Sequence, residues 1–368
     1  MKKKLTAILL SMAMCFCFAA CGDTTTETLA NDNTPNGTTT PANNNTPAPE
    51  NNDPTTPAET NPFEGLSGVV YVYMPSPAPL ADKLSEGFEA LTGVKVEVFQ
   101  GTTGEILARL EAESANPIAD VVILASWSDG LALREEGGLL SYTPGGADKM
   151  HKTWIDSQNV LYGMSASAVG VVYNTTLIPA LSADWNDLAN ADYAGELAFP
   201  DPERSGSAKD FLAGYINKYG ETNGWATWEA LAANGMTVPG ANAAALEAVT
   251  TGEKSILVGA VDWNVYTSIN RGEPLAFYYP ASGTVINPRP AMILETSSNL
   301  DNAKAFMDYL LTDEAQQLIA AAYLIPGRSD ITSTLRPNIA EMNVLDVDWD
   351  WMMSNATEIS QNFNALMG

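Results

Sequence analysis

Residues 69–124 read VVYVYMPSPAPLADKLSEGFEALTGVKVEVFQGTTGEILARLEAESANPIADVVIL, and this stretch decides the fold class. Its runs of β-branched and aromatic residues at 69–74, 94–99 and 120–124 predict strands. Between them, residues 80–91 and 104–114 place apolar side chains at helical spacing. Strands that alternate with helices are typical of α/β domains, in which helices cover a mainly parallel sheet. The sequence therefore predicts an α/β fold.

The same alternation continues toward the C-terminus, after a predicted helix at residues 129–136. A long strand is predicted at residues 161–174, and a second α/β unit follows it. That unit is predicted to have strands at 196–199, 255–258, 275–279 and 291–294, and helices at 185–189, 208–219, 225–233 and 241–250. Residues 301–321 predict two helices that are broken at Thr312. The folded part, residues 65–368, is long enough to exceed one typical core and favours two lobes.

The N-terminus has the pattern of a bacterial lipoprotein export signal. Lysines at positions 2–4 precede an apolar run that closes on Ala19, Ala20 and Cys21. The run is short for a membrane-spanning helix, and small residues precede the cleavage point. We therefore predict that residues 1–20 form a signal peptide and that Cys21 is the site of lipid attachment. An ordinary signal peptide in which Cys21 is incidental is the alternative.

The chain has three cysteines, Cys15, Cys17 and Cys21, and the first two lie inside the predicted signal peptide. The exported part therefore has no pair of cysteines for a disulfide within the chain. A cysteine nucleophile and a zinc site built on cysteine are excluded for the same reason.

Residues 21–64 are rich in Thr, Asn and Pro and contain very few large apolar side chains. Such a segment cannot bury enough surface to offset the entropy of ordering it, so we predict a disordered tether. A tether of this kind would let an anchored domain stand away from the membrane.

The formal net charge is −26. So acidic a surface argues against nucleic acid as a partner and against electrostatic adsorption to anionic lipid. Contact with the membrane is therefore expected only through the lipid on Cys21, and the protein is expected on the outer face of the cell membrane.

Nine short motifs follow one another along the folded part. They are YMPS (73–76), FEALTGVKV (88–96), GTTGE (101–105), PIADVV (117–122), EEGGLL (135–140), GVVYN (170–174), PERSGS (202–207), YPASGT (279–284) and AKAFM (303–307). In this order and spacing, the motifs resemble the type II periplasmic binding proteins of the ferric-iron and thiamine-like group. These are solute-binding proteins of ABC importers.

The resemblance implies two lobes, each a mixed sheet flanked by helices, that close over a ligand on a hinge of two crossing strands. Residues 161–174 would form the outward crossing and residues 279–294 the return. Residues 65–165 and 285–368 would then build lobe one, and residues 166–284 lobe two. The protein would act as a monomer and dock in its closed form on the permease subunits of the transporter.

The best candidate for ligand contact is the loop Arg204-Ser205-Gly206-Ser207, which precedes a predicted helix. Backbone N–H groups at a helix N-terminus, together with hydroxyls and a guanidinium, suit a phosphate, a phosphonate or a carboxylate. The alternative is purely structural, since Ser207 and Asp210 have the spacing of a capping box.

Six further candidates lie in lobe one. Thr102, Thr103 and Gly104 open the second predicted helix, where Thr102 and Glu105 also form a capping box. Ser76, Ser126 and Trp127 follow predicted strands, at the edge where open α/β sheets bind ligands. Trp127 could equally be a core residue that only packs.

Asp262, Trp263 and Tyr266 complete the candidate set. Asp262 could meet a ligand ammonium group or could cap a helix. This region resembles the site at which iron-binding relatives hold ferric ion with two adjacent tyrosines. At those positions this chain has Asp262 and Trp263, and this difference argues against iron as the ligand. Tyr278 and Tyr279 lie in the strand before Pro280, and we interpret them as hinge packing.

The sequence gives no pattern for catalysis or for a resident cofactor. His151 is the only histidine, and we expect it at the surface. No Gly-x-Ser-x-Gly or phosphate-binding loop with its lysine is present. The function predicted is capture of a small phosphorylated, phosphonate or zwitterionic solute for an ABC importer. Alternatives are a ferric-iron-binding protein, an exported hydrolase that uses paired carboxylates, and an adhesin or sensor lipoprotein.

Overall fold

The computed structural model describes residues 62–368. The predicted signal peptide, Cys21 and the predicted tether up to residue 61 lie outside this range. Residues 62–368 form nine strands: β1 (Val69–Met74), β2 (Lys95–Gln100), β3 (Val121–Ile123), β4 (Tyr162–Asn174), β5 (Leu197–Ala198), β6 (Ile256–Val261), β7 (Leu275–Tyr278), β8 (Ile286–Ile293) and β9 (Ile325–Pro326).

The same residues form ten α-helices: α1 (Ala78–Thr92), α2 (Thr103–Ala112), α3 (Trp127–Glu136), α4 (Gly206–Tyr219), α5 (Glu221–Ala233), α6 (Asn242–Thr250), α7 (Asp262–Asn270), α8 (Leu300–Leu310), α9 (Asp313–Ala321) and α10 (Trp349–Met367). None of these helices combines the length and apolarity needed to cross a membrane. Residues 185–189, predicted as a helix, form a short 3₁₀ helix instead.

The strands join in the order β2-β1-β3-β8-β4-β6-β5, with β7 and β9 also paired to β4. The strand β1 is parallel to β2 and β3, whereas β3 and β8 are antiparallel. The predicted α/β class with mixed sheets is therefore confirmed. The helix α1 ends at Gly93, whose positive φ of 74° suits a glycine and turns the chain into β2.

Two apolar cores stand on either side of the strands β4 and β8. In the first lobe, Phe88 of α1 packs edge-to-face on Phe306 of α8, with ring centroids 5.1 Å apart. In the second lobe, Phe199 lies 4.8 Å from the ring of Trp228. The first lobe consists of β1–β3, α1–α3, α8 and α9. The second lobe consists of β5–β7, α4–α7 and α10.

Two antiparallel strands connect the lobes, as the resemblance implied. The first part of β4 pairs with β8, and its last part pairs with β6 and β7 of the second lobe. The strand β8 continues into the first lobe, where Ile293 pairs with Val121 of β3. The return crossing begins at Ile286 rather than at Tyr279, because a turn closed by the bond from Gly283 N to the Pro280 carbonyl comes first.

The C-terminal helix differs from the predicted lobe assignment. Residues 285–368 were expected in the first lobe, but α10 buries Met352, Ala356, Ile359 and Phe363 in the second core. The ring of Phe363 lies 5.1 Å from that of Phe199. The N-terminal end of α10 also contacts the first lobe, since Trp349 and Met353 pack on the core beside α3. The chain therefore crosses between the lobes a third time before α10.

Candidate functional site

A cavity of about 310 Å³ lies between the two lobes. On the first-lobe side, the lining residues follow β1, end β2, begin α2 and precede α3. On the second-lobe side, they lie at the starts of α4, α6 and α7. The strand β8 contributes Arg289. Of the residues proposed from the sequence, those that line the cavity are Ser76, Thr102, Thr103, Arg204, Ser205, Gly206, Ser207 and Trp263.

The N-terminal ends of four helices meet at this cavity. They are marked by Thr103 of α2, Gly206 of α4, Asn242 of α6 and Trp263 of α7. The first N–H groups of a helix have no partner within the helix, and the helix dipole places partial positive charge there. The cavity is therefore electrostatically suited to an anion.

Arg289 is a buried cation with incomplete pairing. Its side chain is 2% exposed, and Nη2 donates to the Pro75 carbonyl oxygen at 3.0 Å. Its Nε has no hydrogen-bond partner among the described residues, and no carboxylate of residues 62–368 forms an ion pair with it. Burial lowers the pKa of Arg289 to about 10, so the guanidinium still carries its charge at neutral pH.

The local sequence explains how Arg289 is held in place. It lies between Pro288 and Pro290 in β8, and proline fixes its own backbone φ and restricts the residue before it. Sequence reasoning missed Arg289 because the predicted strand began only at residue 291, beyond it. A single charge in an otherwise apolar return strand was the signal that could have identified it.

Two more buried polar atoms at the cavity have no hydrogen-bond partner within residues 62–368. They are the hydroxyl of Ser76 and the indole Nε1 of Trp263. Buried polar groups are nearly always hydrogen-bonded, so unpaired ones at a cavity wall are available to a ligand or to water.

Arg204 differs from Arg289 in its exposure. It lines the cavity but is exposed to solvent, and no carboxylate of the described residues pairs with it. The loop that carries it ends at Ser205, which is the N-cap of α4 and accepts a bond from Ala208 N at 3.2 Å. Asn242 of α6 holds this loop by accepting from Ser205 Oγ and donating to Ser207 Oγ.

The lobes touch at two glycines beside the cavity. A methyl group added at Gly206 would lie 2.8 Å from Thr103 Oγ1, and one added at Gly104 would lie 2.8 Å from the Glu203 carbonyl oxygen. Neither distance leaves room for a side chain. Gly104 thus contacts the opposite lobe and does not itself line the cavity.

The Thr102–Glu105 capping box is confirmed, because each partner bonds the other's backbone N–H. The predicted Ser207–Asp210 capping box is wrong. Asp210 points across the cleft and accepts bonds from Ser126 Oγ at 2.9 Å and from Trp127 N at 2.8 Å. A second link between the lobes joins Lys209 Nζ to Asp129 Oδ1 at 2.8 Å.

This arrangement places Ser126 and Trp127 inside the structure instead of on the cavity wall. Ser126 is the N-cap of α3 and bonds Asp129 N. Trp127 is 4% exposed and packs in the core beside α3. Both residues contribute to the contact between the lobes through Asp210.

Asp262 and Tyr266 belong to a buried network next to the cavity, and neither lines it. Asp262 Oδ2 lies 2.7 Å from Arg336 Nη2 and accepts from Tyr279 Oη at 3.0 Å. The same oxygen accepts from Ala168 N of the hinge strand β4. Tyr266 Oη approaches Tyr279 Oη at 3.5 Å. Tyr278 bonds the Ala183 carbonyl oxygen, so neither hinge tyrosine reaches the cavity.

His151 is half-buried, where the sequence predicted a surface residue. Its ring lies 4.3 Å from that of Trp154, and burial lowers its pKa. Within residues 62–368, no three His, Cys, Asp or Glu side chains are grouped in a way that could hold a metal ion.

Comparisons with known proteins agree with this geometry. A model of the family "Bacterial extracellular solute-binding protein" matches residues 116–355. A probable ABC transporter periplasmic-binding protein of Sinorhizobium fredii is 23% identical over 320 residues, which cover 81% of this chain and 88% of that protein. A putative 2-aminoethylphosphonate-binding periplasmic protein of Salmonella paratyphi A is 24% identical over 255 residues, covering 67% of this chain and 74% of the relative.

Among solved structures, the periplasmic binding protein AfuA of Actinobacillus pleuropneumoniae, with fructose-6-phosphate bound, superposes with a TM-score of 0.75. It is 21% identical, and the match covers 82% of this chain and 98% of AfuA. The two lobes, the crossing strands and the cavity between them are thus those of a two-lobed periplasmic binding protein. Since the family model spans well over half of the sequence, the chain belongs to the bacterial extracellular solute-binding proteins.

Proposed function

We propose that this protein captures a small organic solute through a phosphate or phosphonate group, encloses it between the lobes and delivers it to the permease of an ABC importer. The observation that carries this proposal is Arg289, a buried guanidinium at the cavity wall whose Nε has no partner among the described residues. An unpaired buried charge is costly, and an anionic ligand would offset that cost.

The other groups at the cavity wall support the same chemistry. The N-termini of α2 and α4 supply N–H groups, Ser76 supplies an unpaired hydroxyl, and Arg204 adds a second guanidinium at the rim. The relative named for 2-aminoethylphosphonate and the structural neighbour with fructose-6-phosphate bound lend support, because both named ligands carry phosphorus oxyanions.

Thermal unfolding with a panel of phosphate esters, phosphonates and carboxylates tests the proposal. A ligand at about a hundred times its dissociation constant should stabilise the native state by roughly 2.7 kcal/mol. Arg289→Met should abolish that stabilisation. The empty variant should be as stable as the original protein or more so, because a buried charge without a carboxylate is removed.

Arg204→Met is the matched control, because it removes an arginine at the exposed rim. We expect it to weaken binding by about 1 kcal/mol or less. If Arg289→Met binds the phosphate-bearing compounds with full affinity, Arg289 has a structural role and the proposal loses its main support.

We further propose that the solute is released unchanged and that the mature chain is anchored through a lipid on Cys21, with residues 21–64 as its tether. The anchor is supported by the sequence before Cys21 and the family's extracellular placement. Recovering the bound solute by nuclear magnetic resonance after long incubation tests the first point, since a hydrolase would return a cleaved product.

A further inference from the structure

Among residues 62–368, the carboxylates near the cavity each bond at least one other group of the protein, although Asp129 Oδ2 has no partner there. Asp262 is bonded to Arg336 and Tyr279, and it does not line the cavity. Asp210 accepts bonds from the N-terminus of α3, and Asp129 pairs with Lys209. Glu105 is the acidic residue among the described residues that line the cavity. Its side chain is exposed, and its Oε2 accepts a hydrogen bond from Thr102 N.

Apart from Glu105, the charged groups that face the cavity are positive. They are the guanidinium groups of Arg289 and Arg204, together with the four helix N-termini. Away from Glu105, a ligand ammonium group would therefore enter a field of like sign, and Glu105 itself is exposed and bonds Thr102 N. Burying an unpaired cation is strongly unfavourable.

The remaining polar groups at the wall are neutral and suit hydroxyl groups. Trp263 Nε1 is a buried donor without a partner in residues 62–368. The Oε1 of Gln100 and the amide of Asn264 also make no hydrogen bond within the described residues. A cavity of about 310 Å³ holds roughly ten water volumes, so it has room for an organic body beside the anion.

Resting on the proposed function, we infer that the solute is an uncharged, hydroxylated body that carries the phosphate or phosphonate group. Compounds that add an ammonium group should therefore be discriminated against. The inference removes zwitterionic solutes from the predicted ligand class and leaves hydroxylated phosphates and phosphonates.

Two matched pairs of compounds test the inference by calorimetry, at about pH 6 so that the amines are protonated. The pairs are glucose 6-phosphate with glucosamine 6-phosphate, and 2-hydroxyethylphosphonate with 2-aminoethylphosphonate. Within each pair the compounds differ in one hydroxyl or ammonium group. In the pair that binds, we expect the dissociation constant of the hydroxyl compound to be at least about tenfold lower than that of the ammonium compound.

A second measurement checks the neutral donor. Trp263→Phe keeps a ring but removes Nε1–H, so it should weaken the preferred hydroxylated compound severalfold and weaken inorganic phosphate less than that. Equal or tighter binding of the ammonium compound, for instance through the face of Trp263, overturns the inference and leaves the proposed function standing. If no phosphorus compound binds, both fail.

Discussion

The carboxylate of Asp210 in the second lobe accepts a hydrogen bond of 2.8 Å from the backbone N–H of Trp127 in the first lobe. Asp210 also accepts from the hydroxyls of Ser126 and Ser128, so it occupies the N-terminus of α3 from across the cleft. A negative charge is favourable at that end of a helix. This contact joins the helix starts of the two lobes next to the cavity.

The stability of the protein should depend on the protonation of Asp210. Burial, with a smaller contribution from the charge of Asp129, raises its pKa to about 7 from an ordinary 3.8. The native state therefore holds this proton more tightly than the unfolded chain does. The stabilisation that comes from protonated Asp210 is full below about pH 4, falls as pH rises, and is lost above about pH 7.

The variant Asp210→Asn removes this titration. Urea unfolding of both proteins between pH 4.5 and 7.5 should show their difference in unfolding free energy shifting in favour of the variant as pH rises. The slope can reach about 1.4 kcal/mol per pH unit. A difference that stays constant with pH would mean that Asp210 does not titrate in this range.

Closure should depend on the absence of a side chain at Gly206. Gly206→Ala would press a methyl group onto Thr103 Oγ1 and onto Ser126 Cβ, each 2.8 Å away. We expect ligand affinity to fall at least about tenfold, which corresponds to 1.4 kcal/mol. X-ray scattering of the variant with ligand should show the lobes further apart than in the original protein.

Gly145→Ala provides the control, since a methyl group there would lie 3.7 Å from Asp308 Oδ1, an ordinary contact distance. Full affinity and normal closure of Gly206→Ala would contradict the view that the two lobes meet at this glycine.

The buried pair Asp262 and Arg336 should be energetically coupled. Asp262→Asn leaves the guanidinium of Arg336, 6% exposed as a residue, without its charge partner. We expect a loss of about 3 to 5 kcal/mol in unfolding free energy. The double variant Asp262→Asn, Arg336→Met should lose less than the sum of the two single variants. Additive losses would show that the pair acts independently.

Ferric iron should not produce an intense visible band. The hydroxyl of Tyr278 bonds the Ala183 carbonyl oxygen and that of Tyr279 bonds Asp262, and neither residue lines the cavity. Burial also raises the pKa of both phenols, which opposes formation of the phenolate. Titration with ferric citrate checks this. A tyrosinate band that disappears in Tyr279→Phe would favour the iron-binding alternative.

Lipid anchoring predicts the behaviour of Cys21→Ser. Cells that make this variant should release the protein into the medium or retain the unprocessed precursor, because the thiol that would carry the lipid is gone. Membrane fractionation followed by mass spectrometry of the N-terminus checks it. Unchanged membrane retention with a mature N-terminus would contradict the lipoprotein assignment.

Local signals in the sequence were sufficient for the order of elements and for part of the site. The capping box at Thr102 and the start of a helix after Arg204 depend on neighbours within a few residues, and the structure contains both. The crossing strand at residues 161–174 was recognisable because its apolar run is long. Motifs at helix starts led to Thr103 and Ser205 at the cavity wall, and the end of a predicted strand led to Ser76.

The remaining features depend on partners far away in the chain. Asp210 looked like a capping residue because its partners Ser126 and Trp127 are more than eighty positions away. Asp262 was predicted to be free for a ligand because its ion-pair partner, Arg336, lies in a segment whose sequence predicts no helix or strand. Arg289 stood out in the sequence only as a lone charge in the return strand. Its place in the cleft, with no carboxylate of residues 62–368 paired to it, depends on how β8 crosses between the lobes.

Because α10 packs in the second lobe, the two ends of the described chain lie in different lobes. Ser67 precedes β1 in the first lobe, whereas Leu366 lies in the last turn of α10, whose Phe363 packs in the second core. Both side chains are exposed, and the sequence has no cysteine after Cys21. Thiols introduced at these two positions could therefore carry a donor and an acceptor dye. Energy transfer between the dyes would turn the unaltered cleft into an optical sensor for its solute.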